Sequence, residues 1–304
     1  MQNSALVKGS LPPTIRQRVN ASASAQGRNL RASEAVALVY FLYIAVLASV
    51  HRLSRTVIFA AWLIPLALGT LAAIERRYSR KWSNVLRDWA PLALILVGYW
   101  ELDWFAVPAI SGWDNLWIGF DRLLLNHFGL RDLIEVFGGA IPGTLEMVYL
   151  LLYTIPPVCM AAIYWNGARN RADRFLFTLF LGTFTAYALL PCFPTTSPRI
   201  AFPHEYLPHY ASIWRSWNIF LLDHYDISTG VFPSGHVAVG FSCGFGLLRA
   251  LPRKRWWWGA IFSAATLVFL ATVYGRYHYA ADGIASIGIS AVAWRLSGVF
   301  DRHE

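Results

Sequence analysis

The sequence is poor in charge: only 14% of its 304 residues are Asp, Glu, Lys or Arg, against about 25% in a typical soluble domain. That shortage argues against a soluble globular enzyme. Cysteine is scarce as well. Cys159, Cys192 and Cys243 are the only three. Their number is odd and their spacing fits no metal site, which argues against a disulfide scaffold or a zinc module. They are expected as free thiols packed like small hydrophobes. No internal repeat is evident. The first 33 residues lack an apolar core, so they do not read as a secretory signal. What is present is apolar: 56% of the chain is hydrophobic and 15% aromatic, with a mean hydropathy of +0.43. So many large apolar side chains argue against disorder.

Uncharged runs near the roughly 20 residues needed to cross a bilayer recur along the chain. They are Ala35–Val50, Thr56–Ile74, Trp89–Ile110, Met147–Trp165, Phe175–Pro198, Gly235–Ala250, Trp256–Gly275 and Ala280–Leu296. The expected fold is therefore all-α, a polytopic membrane bundle of about eight helices. Pro156 and Pro157 predict a kink in the fourth span, and the third carries Glu101 and Asp103. Two short apolar patches within 111–143 read as interfacial helices. Four segments are expected: a disordered basic arm (1–33), transmembrane and interfacial helices (34–143), a catalytic core (144–297) and a short tail (298–304).

The net charge is +9. In a soluble protein that excess would point to nucleic acid; here its placement sets orientation. Sixteen of the 26 Lys and Arg residues lie in the N-terminal arm and in the loops after the second, fourth and sixth spans. Eight spans put all four segments on one side, which is assigned as cytoplasmic together with both termini. The opposite segments 111–143 and 199–233 hold few basic residues, and the His51–Arg55 loop, with Arg52 and Arg55, is the exception to the pattern. Nucleic acid is not an expected partner; the bilayer is.

Three polar clusters fall on the opposite face: Pro194-Thr195-Thr196-Ser197-Pro198-Arg199, Phe232-Pro233-Ser234-Gly235-His236, and Tyr274-Gly275-Arg276-Tyr277-His278-Tyr279-Ala280-Ala281-Asp282. The topology comes from loop charge alone, so their agreement is independent evidence for a site. A helix starting at Ser234-Gly235 offers free N–H groups and a positive dipole end to an anion. Arg199 and Arg276 are candidate phosphate clamps, or arginines snorkelling to headgroups. Ser234 is a phosphate contact, a helix cap, or both. His278 and Asp282 are four apart on one helical face. The carboxylate can fix one imidazole nitrogen and leave the other free to attack. His236 remains as general acid. The set needs no metal or cofactor. Glu101, Asp103 and Glu146 are secondary candidates; His204, His209, Asp223, His224 and Asp226 read as solvated loop residues.

Pro233-Ser234-Gly235-His236 followed by His278-x3-Asp282 resembles the type 2 phosphatidic acid phosphatase (PAP2) superfamily, over roughly residues 145–297. The resemblance implies a six-helix catalytic core. It implies His278 as a nucleophile forming a phosphohistidine, Asp282 as its orienting acid, His236 as the proton donor, and Arg199, Ser234 and Gly235 as phosphate ligands. The family's usual first motif has a Lys where this chain has Cys192, and its third has an Arg where this chain has Thr272, so Arg276 becomes a replacement clamp. The Pro-x-x-x-Pro-Arg and His-Tyr-x-x-Asp patterns look more like the branch containing inositol phosphorylceramide synthase and its bacterial relatives. The function so implied is a lipid phosphotransferase or phosphatase, with a phospholipid or lipid phosphate as substrate and a lipid alcohol as the acceptor in a transfer. The expected location is a bacterial inner or plasma membrane, with the site on the extracytoplasmic face. The alternatives are a plain lipid (pyro)phosphate phosphatase, a vanadium haloperoxidase, and a non-catalytic lipid transporter.

Overall fold

The computed structural model describes residues 30–77, 81–107, 109, 111–205, 207–228 and 230–298. Most of the basic arm and residues 299–304 of the tail lie outside them. Among the described residues the chain is all-helical, with no strand. In chain order the α-helices are α1 (Ala32–Val50), α2 (Arg55–Arg77), α3 (Lys81–Trp89), α4 (Ala93–Trp100), α5 (Ser111–Arg122), α6 (Leu130–Glu135), α7 (Ala140–Leu150), α8 (Ile155–Trp165), α9 (Ala172–Leu189), α10 (Pro198–Ala201), α11 (Ile213–Tyr225), α12 (Gly235–Ala250), α13 (Arg255–Tyr274) and α14 (Ala280–Ser297).

Four helical stretches among the described residues are long and apolar enough to cross a membrane: Ala32–Val50, Ala140–Trp165, Arg169–Cys192 and Arg255–Tyr274, with Arg55–Leu71 as a shorter apolar one. The expectation of eight counts α4, α12 and α14 as well. Helices α12 and α14 are less apolar for a physical reason. Each packs into the bundle through a face of small and hydroxyl side chains, which permit close helix contact. Ser242 Oγ donates to Ser290 Oγ at 3.0 Å, and Ser286 Oγ donates to the Ser234 carbonyl at 2.8 Å.

The third expected span is not one continuous helix. Only the eight residues of α4 are α-helical, between 3₁₀ turns at Ala90–Leu92 and Glu101–Phe105. Pro91 cannot donate in a helix interior, and Glu101 and Asp103 break the apolar run. The proline pair of the fourth span acts as expected. Pro156 and Pro157 cannot donate to the carbonyls four residues back, and the helix tightens to a 3₁₀ turn at Leu151–Thr154 before α8. The 111–143 segment forms short helices, with a π-helical turn at Leu123–His127. Cys159 and Cys243 are buried as expected; Cys192 is exposed.

Helix α9 is the centre of the bundle, packing on α1, α12 and α14. At one end, Arg31 and Arg169 pair with buried Asp88 at 2.6 and 3.0 Å, and Arg87 pairs with Glu34 at 2.6 Å. The basic segments that follow the second and fourth spans therefore meet the start of α1 at one end. The three motif loops meet at the other.

Candidate active site

The sharp turn into α12 is built by Ser234, whose hydroxyl accepts the Val237 N–H at 3.4 Å. The cap leaves the first N–H groups of α12 facing the site. Gly235 is required there because an added Cβ would lie 2.7 Å from the Tyr187 ring. Two bonds fix this turn against α14: the Ser234 N–H donates to the Asp282 carbonyl at 3.2 Å, and Ser286 holds the Ser234 carbonyl.

The two histidines face each other. His236 Nδ1 lies 3.2 Å from His278 Nε2. His278 Nδ1 lies 3.0 Å from the Val231 carbonyl and 3.3 Å from Asp282 Oδ2. Both of those partners are acceptors, so the Nδ1 proton is fixed and the Nε2 lone pair points at His236. Asp282 is oriented in turn by the Tyr279 N–H at 2.9 Å. On the far side of His236, Nε2 lies 3.3 Å from the Tyr149 hydroxyl and 3.5 Å from that of Tyr153. A chain of hydrogen bonds thus runs from the tyrosines through both imidazoles to Val231 and Asp282.

Arg199, Gly235, His236 and His278 line one small polar pocket. The Arg199 side chain is paired with Asp223 at 2.9 Å, and its backbone N–H donates to the Arg276 carbonyl at 3.0 Å. Arg276 does not line this pocket. Its side chain is fully buried, its Nη1 lies 3.9 Å from Asp121 Oδ2, and none of its guanidinium nitrogens has a hydrogen-bond partner among the described residues. Its φ of 67° is strained for a side-chain-bearing residue. Arg276 therefore meets Arg199 through its backbone carbonyl, while its guanidinium lies outside the lining of this pocket. Burial lowers the affinity of its guanidinium for its proton, and burial likewise pushes the Asp121 carboxyl up to about 7.

Glu146 is also placed away from the reacting groups. It accepts from Arg215 and Asn218, each at 2.8 Å, and from the Tyr277 hydroxyl at 2.6 Å. The Tyr277 ring stacks on Tyr149 at 4.6 Å, and Tyr149 stacks on His236 at 5.1 Å. Glu146 is thus the outer anchor of the stack that seats His236. Asp103 latches the long loop, accepting the Ser228 N–H and hydroxyl at 2.8 Å. Glu101 is buried and lines neither the polar pocket nor the cavity beside it. His209 pairs with Glu135 at 2.6 Å, and His204, His209 and His224 do not line the pocket.

Two loop acids differ from the expectation of simple solvation. Asp223 is the partner of Arg199, and Asp226 lines the pocket itself. Asp226 accepts from the Tyr99 hydroxyl and from the Ile227 N–H at 3.1 Å. Burial raises its carboxyl above the usual range, opposed by the Tyr99 hydrogen bond and by His278 and Arg199. Sequence reading also passed over Tyr99, Tyr149 and Tyr153. The available signal was three hydroxyl-bearing rings near the ends of apolar spans, where a buried tyrosine hydroxyl needs a partner.

An apolar cavity of about 330 Å³ adjoins the polar pocket; its lining includes Trp89, Leu92, Tyr153, Pro157 and Val239. Tyr99, Gly235 and His236 line both spaces.

The PAP2 superfamily model matches residues 138–296, just over half of the chain. The protein belongs to the PAP2 superfamily. With its apolar helices it is an integral membrane protein. A PA-phosphatase related-family protein of Dictyostelium discoideum is 29% identical over 124 residues, 38% of this chain and 22% of that protein. The matched stretch thus spans about a fifth of that relative's length. No solved structure matches the chain.

Proposed function

We propose that the protein cleaves a phosphate ester or phosphodiester of a membrane lipid by way of a phosphohistidine. The observation that carries this reading is that two spaces share His236, Gly235 and Tyr99 as a wall: a polar pocket lined by Arg199, both histidines and the start of α12, and an apolar cavity beside it. A phosphate suits the first and an aliphatic chain the second.

The tautomers follow from the hydrogen bonds. His278 carries its proton on Nδ1, and His236 Nδ1–H donates to His278 Nε2. Entry of a phosphate between the rings breaks that last bond. His278 Nε2 then forms the N–P bond as the P–O ester bond breaks, and His236 passes its Nδ1 proton to the leaving oxygen. Arg199 and the N–H groups at the start of α12 stabilise the charge on the phosphoryl oxygens. In the second half, a hydroxyl attacks phosphorus, its proton returns to His236, and the N–P bond breaks. The resting chemistry uses only these side chains.

Water as the attacking group makes the enzyme a phosphatase; a lipid alcohol makes it a transferase. The Pro198-Arg199 and His278-Tyr279 motif style favours transfer, in the manner of the inositol phosphorylceramide synthase-like branch. The segregation of basic residues supports a site on the extracytoplasmic face with both termini cytoplasmic; residues 144–297 are proposed as the catalytic core, close to the family match at 138–296.

The decisive test is turnover of labelled phospholipid by purified wild type and His278→Ala, with and without acceptor alcohols. Wild-type turnover in the variant overturns the mechanism. Free phosphate as the sole labelled product removes the transferase reading.

A further inference from the structure

Helix α5 lies outside the matched family segment, yet one of its faces reaches all three motif loops. Asp114, Trp117 and Asp121 are three and four residues apart, so they share that face. Asp114 Oδ1 accepts the Thr196 N–H at 3.2 Å, in the loop that leads into Arg199. The Trp117 ring stacks on Phe232, with centroids 4.6 Å apart and planes 22° apart, just before the Ser234-Gly235-His236 turn. The same ring packs 5.9 Å from Tyr279, next to His278. Asp121 Oδ1 accepts the Ala280 N–H at 2.9 Å, two residues after His278 and at the first turn of α14. All three side chains are buried.

Both carboxylates grip backbone N–H groups, so they fix the paths of the loops themselves. Asp121 also sets an acceptor oxygen at the positive end of the α14 dipole, on the Ala280 N–H of its first turn. The three loops are far apart in sequence and come from different elements, so their mutual register needs a common reference. A single rigid helix touching each of them supplies one.

We infer that α5 is a three-point clamp that sets the relative positions of Arg199, His236 and His278, with Asp114, Trp117 and Asp121 as positioning residues. The inference rests on the reading of those three groups as a phosphate site. A displacement of about 1 Å in such a site costs on the order of 10²-fold in rate.

The test uses the purified full-length protein in mixed micelles, with Trp117→Ala, Asp114→Leu, Asp121→Leu, the conservative Trp117→Phe, and Asn115→Ala on the exposed side of α5. Two quantities are read: kcat/KM on phosphatidic acid, and the affinity for inorganic phosphate by calorimetry. The clamp variants are expected to lose about 10²-fold in kcat/KM and to bind phosphate several-fold more weakly per folded molecule. Trp117→Phe restores most of both, and Asn115→Ala matches wild type. A variant that only lowers the folded fraction keeps wild-type phosphate affinity, and that result overturns the clamp. Wild-type values for both quantities overturn it too. Failure of the underlying site reading looks different: wild type itself binds no phosphate, or His278→Ala keeps turning over.

Discussion

The Nδ1 of His236 and the Nε2 of His278 are 3.2 Å apart, although the residues are 42 positions apart, one in the first turn of α12 and the other in the loop before α14. The contact is a hydrogen bond, and in the proposed mechanism it marks the gap that a phosphorus atom enters. Each imidazole is pinned on its outer nitrogen, His236 by tyrosine hydroxyls and His278 by Val231 and Asp282. Their roles differ because their partners differ: one has a proton to give along this axis, the other a lone pair.

Replacing the proton donor makes the rate depend on the leaving group. His236→Ala is expected to lower kcat by about 10²–10⁴-fold on a lipid phosphate. On an aryl phosphate, whose phenolate leaves without help, the loss is expected to be much smaller. Steady-state kinetics on the two substrates checks this; equal losses on both exclude His236 as the acid.

Asp226 predicts a pH effect. An ionised carboxylate in an anion pocket repels phosphate, whereas a protonated one does not. Burial raises the Asp226 carboxyl above its usual range, so KM for a phosphate ester rises as pH rises through that raised value. Asp226→Asn is expected to remove this limb and leave KM low across it. The measurement is KM against pH for both proteins.

Gly235 sits where the site can spare no methyl group. An alanine Cβ would meet the Tyr187 ring at 2.7 Å, pushing the turn or the ring by several tenths of an ångström. Gly235→Ala is expected to fold but to lose at least tenfold in kcat/KM, on the scale set by misplacement of a reacting group. Retention of full activity would show that phosphate does not approach this turn.

Glu146 is a matter of stability. Glu146→Ala removes the carboxylate that accepts from Arg215, Asn218 and the Tyr277 hydroxyl; Arg215 keeps the Gly275 carbonyl at 3.3 Å and Asn218 the backbone carbonyl of residue 146, and breaking a buried ion pair costs about 3–5 kcal/mol. Thermal unfolding in detergent should show a clear drop in Tm. Glu146→Gln, which still accepts hydrogen bonds, should lose less. Because Tyr277 carries Tyr149 and hence His236, activity should fall alongside stability.

Much of this protein follows from sequence alone. Apolar runs and proline positions dictate helices through backbone chemistry that is local: Pro156 and Pro157 mark the 3₁₀ break because they carry no N–H. His278 and Asp282 meet, but not on one helical face: α14 begins at Ala280, and Asp282 in its first turn reaches back past the Tyr279 N–H to His278, which lies just before the helix. Ser234 caps α12 because its own side chain reaches the N–H three residues on. Which charges meet across the chain is decided only by the packed bundle. Arg199 and Arg276 read alike as phosphate ligands. The tertiary structure turns one into the pocket and buries the other beside Asp121. Asp226 reads as an ordinary loop acid until the bundle carries it to Tyr99, 127 residues away. Helix α5 shows no chemical motif, yet its buried face meets all three loops. Local hydrogen bonding is written in neighbouring residues; burial, and the neighbours it imposes, exist only once distant helices have closed on one another.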